Sequence, residues 1–400
     1  MKELTEPFRE ALAIIETIEE AGHQAFFVGG CVRDFLLKRP IGDVDITTSA
    51  KPFEVQAIFD EVIPVGIQHG TVIVRHRGIS YEVTTFRVEG EYSDQRHPDS
   101  VQFIDKIDED LARRDFTINA LAMNKHGYII DLFHGREDIE KALIRAVGNG
   151  HDRFQEDPLR ILRAIRFSSQ LGFQIEENTL KAIMATRQSI TGLAVERITV
   201  ELQKLFAGKD VKTALSYMVE LRIDQELPVL KDYHLIAKLV PIIQPLHTLA
   251  EVLCLIHQME PELDIRIIGK EWKCSNKILR EAFQLNQAVD YYKANGLDNW
   301  LVYQLLPDYY NAFYRITEIM FPTKIDKDEL YRLKKQLNLT SKKDLNINGN
   351  DIIKLFPAVP KGPWIQDKLV KLERLVVLGE LQNNNMILKD WLKWNPPEQK

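Results

Sequence analysis

Asp43 and Asp45, two residues apart in Gly42-Asp43-Val44-Asp45-Ile46, are the residues of this chain best spaced for chemistry. On a strand, alternate side chains share a face, so both carboxylates point one way while Val44 and Ile46 point to a core. Unpaired, such neighbours repel; a divalent cation makes both anions favourable. Magnesium suits them because it takes oxygen ligands and keeps positions open for phosphate and water. Ions held in this way activate an attacking oxygen and stabilise departing pyrophosphate. Just upstream, Val28-Gly29-Gly30-Cys31-Val32-Arg33-Asp34 reads as strand, glycine turn and helix. Glycines at such a turn let backbone amides approach phosphate oxygens, the helix start adds partial positive charge, and Arg33 adds a charge-assisted contact. Either motif alone is commonplace, and the specificity lies in their adjacency.

Further residues extend this set. Glu82, on a neighbouring predicted strand, reads equally as a third carboxylate or as an outward-facing strand residue. In Leu111-Ala112-Arg113-Arg114-Asp115-Phe116, Arg114 reads as a triphosphate or ribose contact, or as one partner of a surface ion pair. Glu156-Asp157-Pro158-Leu159-Arg160-Ile161-Leu162-Arg163-Ala164-Ile165-Arg166-Phe167 places Pro158 in the first turn of a helix and Asp157 as its cap. Arg160, Arg163 and Arg166 follow at three-residue steps, so Asp157, Arg160 and Arg163 share one flank. An adjacent Asp and Arg also mimic a base-pairing edge: Asp accepts from an exocyclic amine and Arg donates to an unprotonated ring nitrogen. Cytosine and adenine both offer that pair of groups; uracil and guanine present the opposite polarity. A good bidentate contact of this kind discriminates by about 1 to 3 kcal/mol.

The elements that hold these residues form two kinds of sequence. The first 145 residues mix both periods, with a helix predicted at Pro7–Ala21 and Phe8, Leu12 and Ile15 on its stripe. Strands are predicted at Ala25–Val28, Val44–Thr47, Thr71–Arg75 and Tyr81–Phe86, the last two joined through Arg77-Gly78. Arg87–Ser100 is polar and without period, which predicts a mobile loop. Asp131-Leu132-Phe133-His134-Gly135 reads as a structural turn. From about Asp152 the pattern is helical to the end, with weak seams near Gly208, Gly269 and Phe321-Pro322.

Composition narrows the function classes. With 45% apolar and 28% charged residues the chain is globular, and it has neither a signal-like start nor an apolar run long enough to span a membrane, so a cytoplasmic location is expected. Cys31, Cys254 and Cys274 form no metal or disulfide pattern and are expected as buried thiols. The net charge of -6 disfavours a polyanion partner, yet residues 321–400 carry 15 Lys and Arg against 10 Asp and Glu. A basic end on an acidic protein suits nucleic acid as well as it suits a plain solvated surface.

Taken together, the glycine turn with Arg33-Asp34, Asp43-x-Asp45, Arg113-Arg114-Asp115 and Glu156-Asp157-x-x-Arg160 resemble the class II tRNA nucleotidyltransferases of the polymerase-β-like superfamily, specifically the Gram-positive CCA-adding enzymes. Glu196-Arg197-Ile198-Thr199-x-Glu201-Leu202 is similar to that family's helix-stabilising neck motif, and Leu345–Asp351 to its C-terminal domain. The likeness spans essentially the whole chain. It implies an α+β fold: a polymerase-β-like head with a mixed sheet, then all-α neck, body and tail in a seahorse shape. The corresponding divisions are 1–150, 151–208, 209–320 and 321–400, the last binding tRNA. It further implies Mg2+ on Asp43 and Asp45 as the catalytic pair, with CTP and ATP contacted by Gly30, Arg33, Arg114, Asp157, Arg160, Arg163 and Arg166. The implied partners are tRNA at its 3′ end and acceptor and T-arm side, and no membrane; a homodimer is compatible with the likeness. By the same likeness the Arg87–Ser100 loop helps switch from C to A addition.

The rival readings are a poly(A) polymerase or an A-adding enzyme of the same family, and a CC-only enzyme, which the loop disfavours. Val65–Val72 lacks the Gly-Arg-Arg-Phe-type segment expected of a poly(A) polymerase. A metal-dependent phosphohydrolase would need His151-Asp152 joined by ligands such as His234, His247 or His257, none of which has an adjacent Asp. A tRNA-binding protein without activity would not need Asp43, Asp45 and Arg33 together.

Overall fold

The computed structural model describes residues 4–90, 100–321 and 325–397. Helix α1, Glu6–Glu20, buries Phe8, Ala11, Ile14, Ile15 and Ile18 along the expected stripe, with Leu12 half-buried beside it. Strand β1, Ala25–Val28, ends at Gly29, whose φ of 76° turns the chain into helix α2, Gly30–Leu36. Then follow β2 (Ile46–Thr48), α3 (Pro52–Ile58), β3 (Val62–Gly66), β4 (Thr71–His76) and β5 (Ile79–Thr85). The hairpin between β4 and β5 turns on Arg77 and Gly78 at φ 52° and 80°, the left-handed pair that matches strand twist in a two-residue loop.

Strands β6 (Arg87–Glu89) and β7 (Val101–Phe103) pair only with each other. They stand at the two ends of the segment predicted as a mobile loop without period, whose residues 91–99 lie outside the described residues. Helix α4 (Ile107–Ala112) leads to β8 (Leu121–Met123) and β9 (Ile129–Asp131). The main sheet runs β3-β4-β5-β2-β1-β8-β9, parallel only between β2 and β5, and so is mixed as the likeness implied. Its core joins Phe27, Val32, Ile46, Val72, Val83 and Leu121 to the stripe of α1. Asp131 accepts from the amides of Gly135 and Arg136, closing the predicted turn before α5, Gly135–Glu140.

Beyond this sheet the chain is helical, with one exception: β10, Leu143–Ile144, pairs in parallel with β11, Gln174–Ile175, across residue 150. Helices α6 (Gly150–Glu156), α7 (Leu159–Leu171), α8 (Glu177–Thr186) and α9 (Val195–Phe206) follow. Gly208, read as a weak seam, is instead a packing contact: a Cβ there would fall 2.0 Å from Ser169 Oγ on α7. The chain divides into two compact units, Met1–Pro245 and Leu246–Lys400, the second wholly helical among its described residues. Cys31 and Cys254 are buried as expected, but Cys274 is only half-buried because it sits in the short turn after the helix Ile265–Glu271.

Candidate active site

Asp43 and Asp45 stand in the extended lead-in to β2 rather than within it, because the ladder to β5 begins at Ile46 opposite Val83. The alternation nevertheless holds. Val44 and Ile46 are buried, Asp43 is exposed and Asp45 half-buried. In the parallel register, the residues one step before Ile46 and Val83 are Asp45 and Glu82, which makes Glu82 their cross-strand neighbour. Burial, reinforced by the charges of Glu82 and Asp43, lifts the Asp45 carboxyl to about 6, against the pull of Arg114. Three carboxylates and one guanidinium therefore act on a single spot.

Arg114 and Arg33 both lie against the glycine turn. A Cβ on Gly29 would stand 3.0 Å from Arg114 Nη1, and one on Gly30 would stand 3.7 Å from Arg33 Nη2. Arg33 is buried; it donates to Asp34 from Nε and Nη2, at 3.1 and 3.0 Å, and from Nη1 to Asn119 at 2.7 Å. Asn119 in turn donates to Asp115, and Asp115 accepts Arg163 Nε and Nη2 at 2.8 and 2.5 Å. Burial would raise the Asp115 carboxyl, but Arg163 and Asn119 outweigh it and hold it at about 2. The guanidinium carbons of Arg33, Arg163 and Arg166 stand 5.1, 5.4 and 4.2 Å from the centroid of Phe167, within cation–π range. Burial, with Arg163 and Arg33 nearby, brings Arg166 down to about 10, although Glu201 pairs with it at 2.8 Å. Each of these guanidinium groups faces a carboxylate: Arg33 that of Asp34, Arg163 that of Asp115 and Arg166 that of Glu201.

Asp157 sits between α6 and α7. Its Oδ1 accepts from the Leu159 amide at 3.1 Å, the capping role expected of it, and its Oδ2 accepts from Arg197 of α9 at 3.0 Å. Arg160 is buried and donates to Glu156 at 2.7 Å and to the Arg153 and Arg113 carbonyls. The Asp157 and Arg160 side chains thus do not bond each other, although the Arg160 amide donates to the Asp157 carbonyl at 3.0 Å; each side chain is braced separately. Arg160 and Arg163 both reach the 113–115 segment that also carries Arg114, so the predicted flank does meet the glycine-turn half of the site. The His151-Asp152 pair is exposed on the first turn of α6. Among the described residues, no three His, Cys, Asp or Glu side chains are grouped so as to hold a metal ion by themselves.

Comparison with known proteins bears on this geometry. Residues 25–145 match the model of the poly A polymerase head domain, 172–234 a probable RNA- and SrmB-binding site of polymerase A, and 245–392 a putative second tRNA nucleotidyltransferase domain. The chain is 47% identical over 397 residues to the CCA-adding enzyme of Oceanobacillus iheyensis, covering 99% of each. The Anoxybacillus flavithermus CCA-adding enzyme is 42% identical, with 98% of each covered. A solved structure of the Bacillus stearothermophilus CCA-adding enzyme in complex with CTP superposes with a TM-score of 0.87 at 36% identity and 98% coverage of both chains. The chain belongs to the CCA-adding enzyme family.

As a member of that family it is a nucleotidyltransferase, a class that generally uses a divalent metal. Its polymerase-β-like head and helical remainder agree with the fold expected from the sequence. None of its described helices is long and apolar enough to cross a membrane. Several residues that brace these side chains were not singled out from the sequence. Asp110, fully buried on α4, accepts from Arg113, Arg114 and the amide of Arg87, tying β6 to the site. Asp115 and Asn119, four residues apart beside Arg114, carried a signal in their spacing. Arg197 and Glu201 did too, as residues of a motif read only as stabilising a helix.

Proposed function

We propose that this chain builds and repairs the 3′ end of tRNA without a template, adding C, C and A in order from CTP and ATP and releasing pyrophosphate each time. One observation carries the reading: Asp45 feels the charges of Asp43, Glu82 and Arg114 together, and Arg114 lies against the glycine turn. The likeness to an enzyme solved with CTP supports nucleoside triphosphates as substrates.

The residues fit a hard cation. Carboxylates that repel one another, too few to enclose an ion, suit Mg2+, which takes one or two carboxylates and fills its other positions from phosphate and water. Asp43 and Asp45 hold it in this reading, and when bound it supplies Lewis-acid stabilisation at the phosphates. The chain's own groups do the rest. Gly30 and Arg33 cradle the triphosphate, and Arg114, Arg163 and Arg166 offset its charge. Asp157 accepts from the exocyclic amine of cytosine or adenine while Arg160 donates to the ring nitrogen. The bracing of Asp157 by Arg197, and of Arg160 by Glu156, keeps that edge in place without a template strand. With tRNA and nucleoside triphosphates as substrates, the cytoplasm is its place of work.

The test is extension of a tRNA lacking its last three nucleotides, with Mg2+ and each nucleotide alone and combined. The expected result is two additions with CTP alone, one more with ATP, then arrest. A homopolymeric ladder from ATP would overturn the reading in favour of a poly(A) polymerase, and a single A on tRNA ending in CC, with CTP inert, in favour of an A-adding enzyme. Asp43→Ala and Asp45→Ala should each abolish extension while tRNA still binds, and Arg160→Ala should relax base choice.

A further inference from the structure

The second unit contains a cavity of about 410 Å³ that nothing above uses. Its walls come from the helices Asn276–Asn295, Asn299–Gln304 and Trp364–Val377 and from the turn at Lys342. Trp300, 6% exposed, and Tyr303 stack with centroids 5.6 Å apart and an interplanar angle of 22°. Glu373, 3% exposed, lines the same space. Its Oε1 accepts the Tyr303 hydroxyl, and its Oε2 takes no partner among the described residues. Gln284, Gln287 and Lys342 stand exposed around it.

A largely buried carboxylate whose second oxygen has no partner among the described residues and faces the cavity is suited to N–H donors. Beside an aromatic pair and two amides, the matching ligand is flat, aromatic and rich in donors. Guanine fits: it alone among the four RNA bases presents two adjacent donors, N1–H and N2–H, on its pairing edge, and these meet the two oxygens of one carboxylate. Adenine and cytosine offer an amine beside an acceptor, and uracil one N–H between carbonyls. An ammonium would satisfy the charge but leave the aromatic plane and amides unused.

We propose that this cavity takes a guanine base, unstacked from RNA, against Tyr303 and Glu373. Lys342 then meets the adjoining phosphate, in the stretch of chain where basic residues exceed acidic ones. The recognition stands on the cavity alone; RNA as the source of the base rests on the reading given under Proposed function.

All five tryptophans, Trp272, Trp300, Trp364, Trp391 and Trp394, lie in this unit, so their fluorescence reports on it. Titrating the full chain with GMP, AMP, CMP, UMP and IMP should quench with GMP at about tenfold lower concentration than with the others, IMP lacking the 2-amino donor. Glu373→Gln, nearly isosteric, should erase that preference; if the variant does not fold, the GMP to IMP ratio decides without it. An RNA octamer UUUUGUUU should bind more tightly than U8 and more tightly than GMP. Equal quenching by all five nucleotides, or an unchanged preference in Glu373→Gln, overturns the proposal. A GMP preference with no advantage of the octamer over U8 upholds guanine and overturns RNA as its source. Because extension is not the readout, failure of CCA addition and failure of this site are separate results.

Discussion

Asp115 Oδ2 receives hydrogen bonds from both Nε and Nη2 of Arg163, 48 residues later, although neither residue contributes to the glycine turn or the carboxylate group. Through Asn119 the same aspartate reaches Arg33, so one buried carboxylate connects α2 to α7. The triphosphate half of the proposed site and its base-reading half therefore share a strut. With Arg163 on Oδ2 and the Phe116 amide and Asn119 on Oδ1, both oxygens of Asp115 are held, which fixes its orientation as a site that reads a base with side chains requires.

Asp115→Asn should destabilise the protein and flatten its response to acid. The native carboxyl is held at about 2 against an ordinary 3.8, so the ionised form is favoured by folding. That contribution, on the order of 2 kcal/mol, is complete above about pH 4 and is lost as pH falls from there through about 2. Urea melts of both proteins at pH 7 and at pH 3 should show their difference shrinking at the lower pH. A difference that grows on acidification would refute the pairing.

How far the sequence discloses this arrangement depends on distance along the chain. β1 was legible because Gly29-Gly30 stops it, and the β4–β5 hairpin because Arg77-Gly78 suits a tight turn. The cap at Asp157 was legible from Pro158. β3 was not: Pro64 within Val62–Gly66 argues against a strand, and the sheet tolerates it only because β3 is an edge. β8 and β9, at three residues each, are too short to show a period. Among the site residues, the Asp43 and Asp45 face was visible from alternation alone. That Arg197 meets Asp157 across 40 residues, and Glu201 meets Arg166, was not, since no local pattern tells which arginine an acid will find.

Gly29→Ala should cost more than Gly30→Ala. The first requires a side chain at φ 76° with its Cβ 3.0 Å from Arg114 Nη1; the second places a Cβ at an ordinary 3.7 Å from Arg33. With ψ at −127° this backbone lies outside the left-handed helical well, in a region where a side chain costs about 1 to 3 kcal/mol before the displacement of Arg114 is counted. Thermal melts should rank the variants in that order, and KM for both nucleotides should rise in Gly29→Ala. Equal melting temperatures would show that the turn relaxes freely.

Asp45→Asn should stabilise the metal-free protein while removing its response to Mg2+. Asp45 is crowded by Glu82 and Asp43 with only Arg114 opposing, so neutralising it relieves repulsion. A gain on the order of 1 kcal/mol corresponds to about 2 to 4 °C in melting temperature. Added Mg2+ should raise the melting temperature of the unaltered protein and leave the variant where it is, because a ligand stabilises only the state that binds it. Equal shifts in both would remove Asp45 from the cation site.

Arg197→Ala separates a brace from a cap. The Asp157 bond to the Leu159 amide survives the change, so α7 keeps its start, whereas Oδ2 loses the donor that fixes its direction. Arg197 is on α9, away from the glycine turn, and its side chain is 23% exposed, so the fold should tolerate its loss. Misorientation of a reading group by a fraction of an ångström to one ångström costs up to about a hundredfold in rate. Incorporation kinetics should therefore show kcat/KM falling for both CTP and ATP, with UTP and GTP gaining relative to them, while circular dichroism stays unchanged. Arg197→Lys, which keeps the charge but not the planar fork, should restore selectivity in part. Full selectivity in Arg197→Ala would mean that the cap alone orients Asp157.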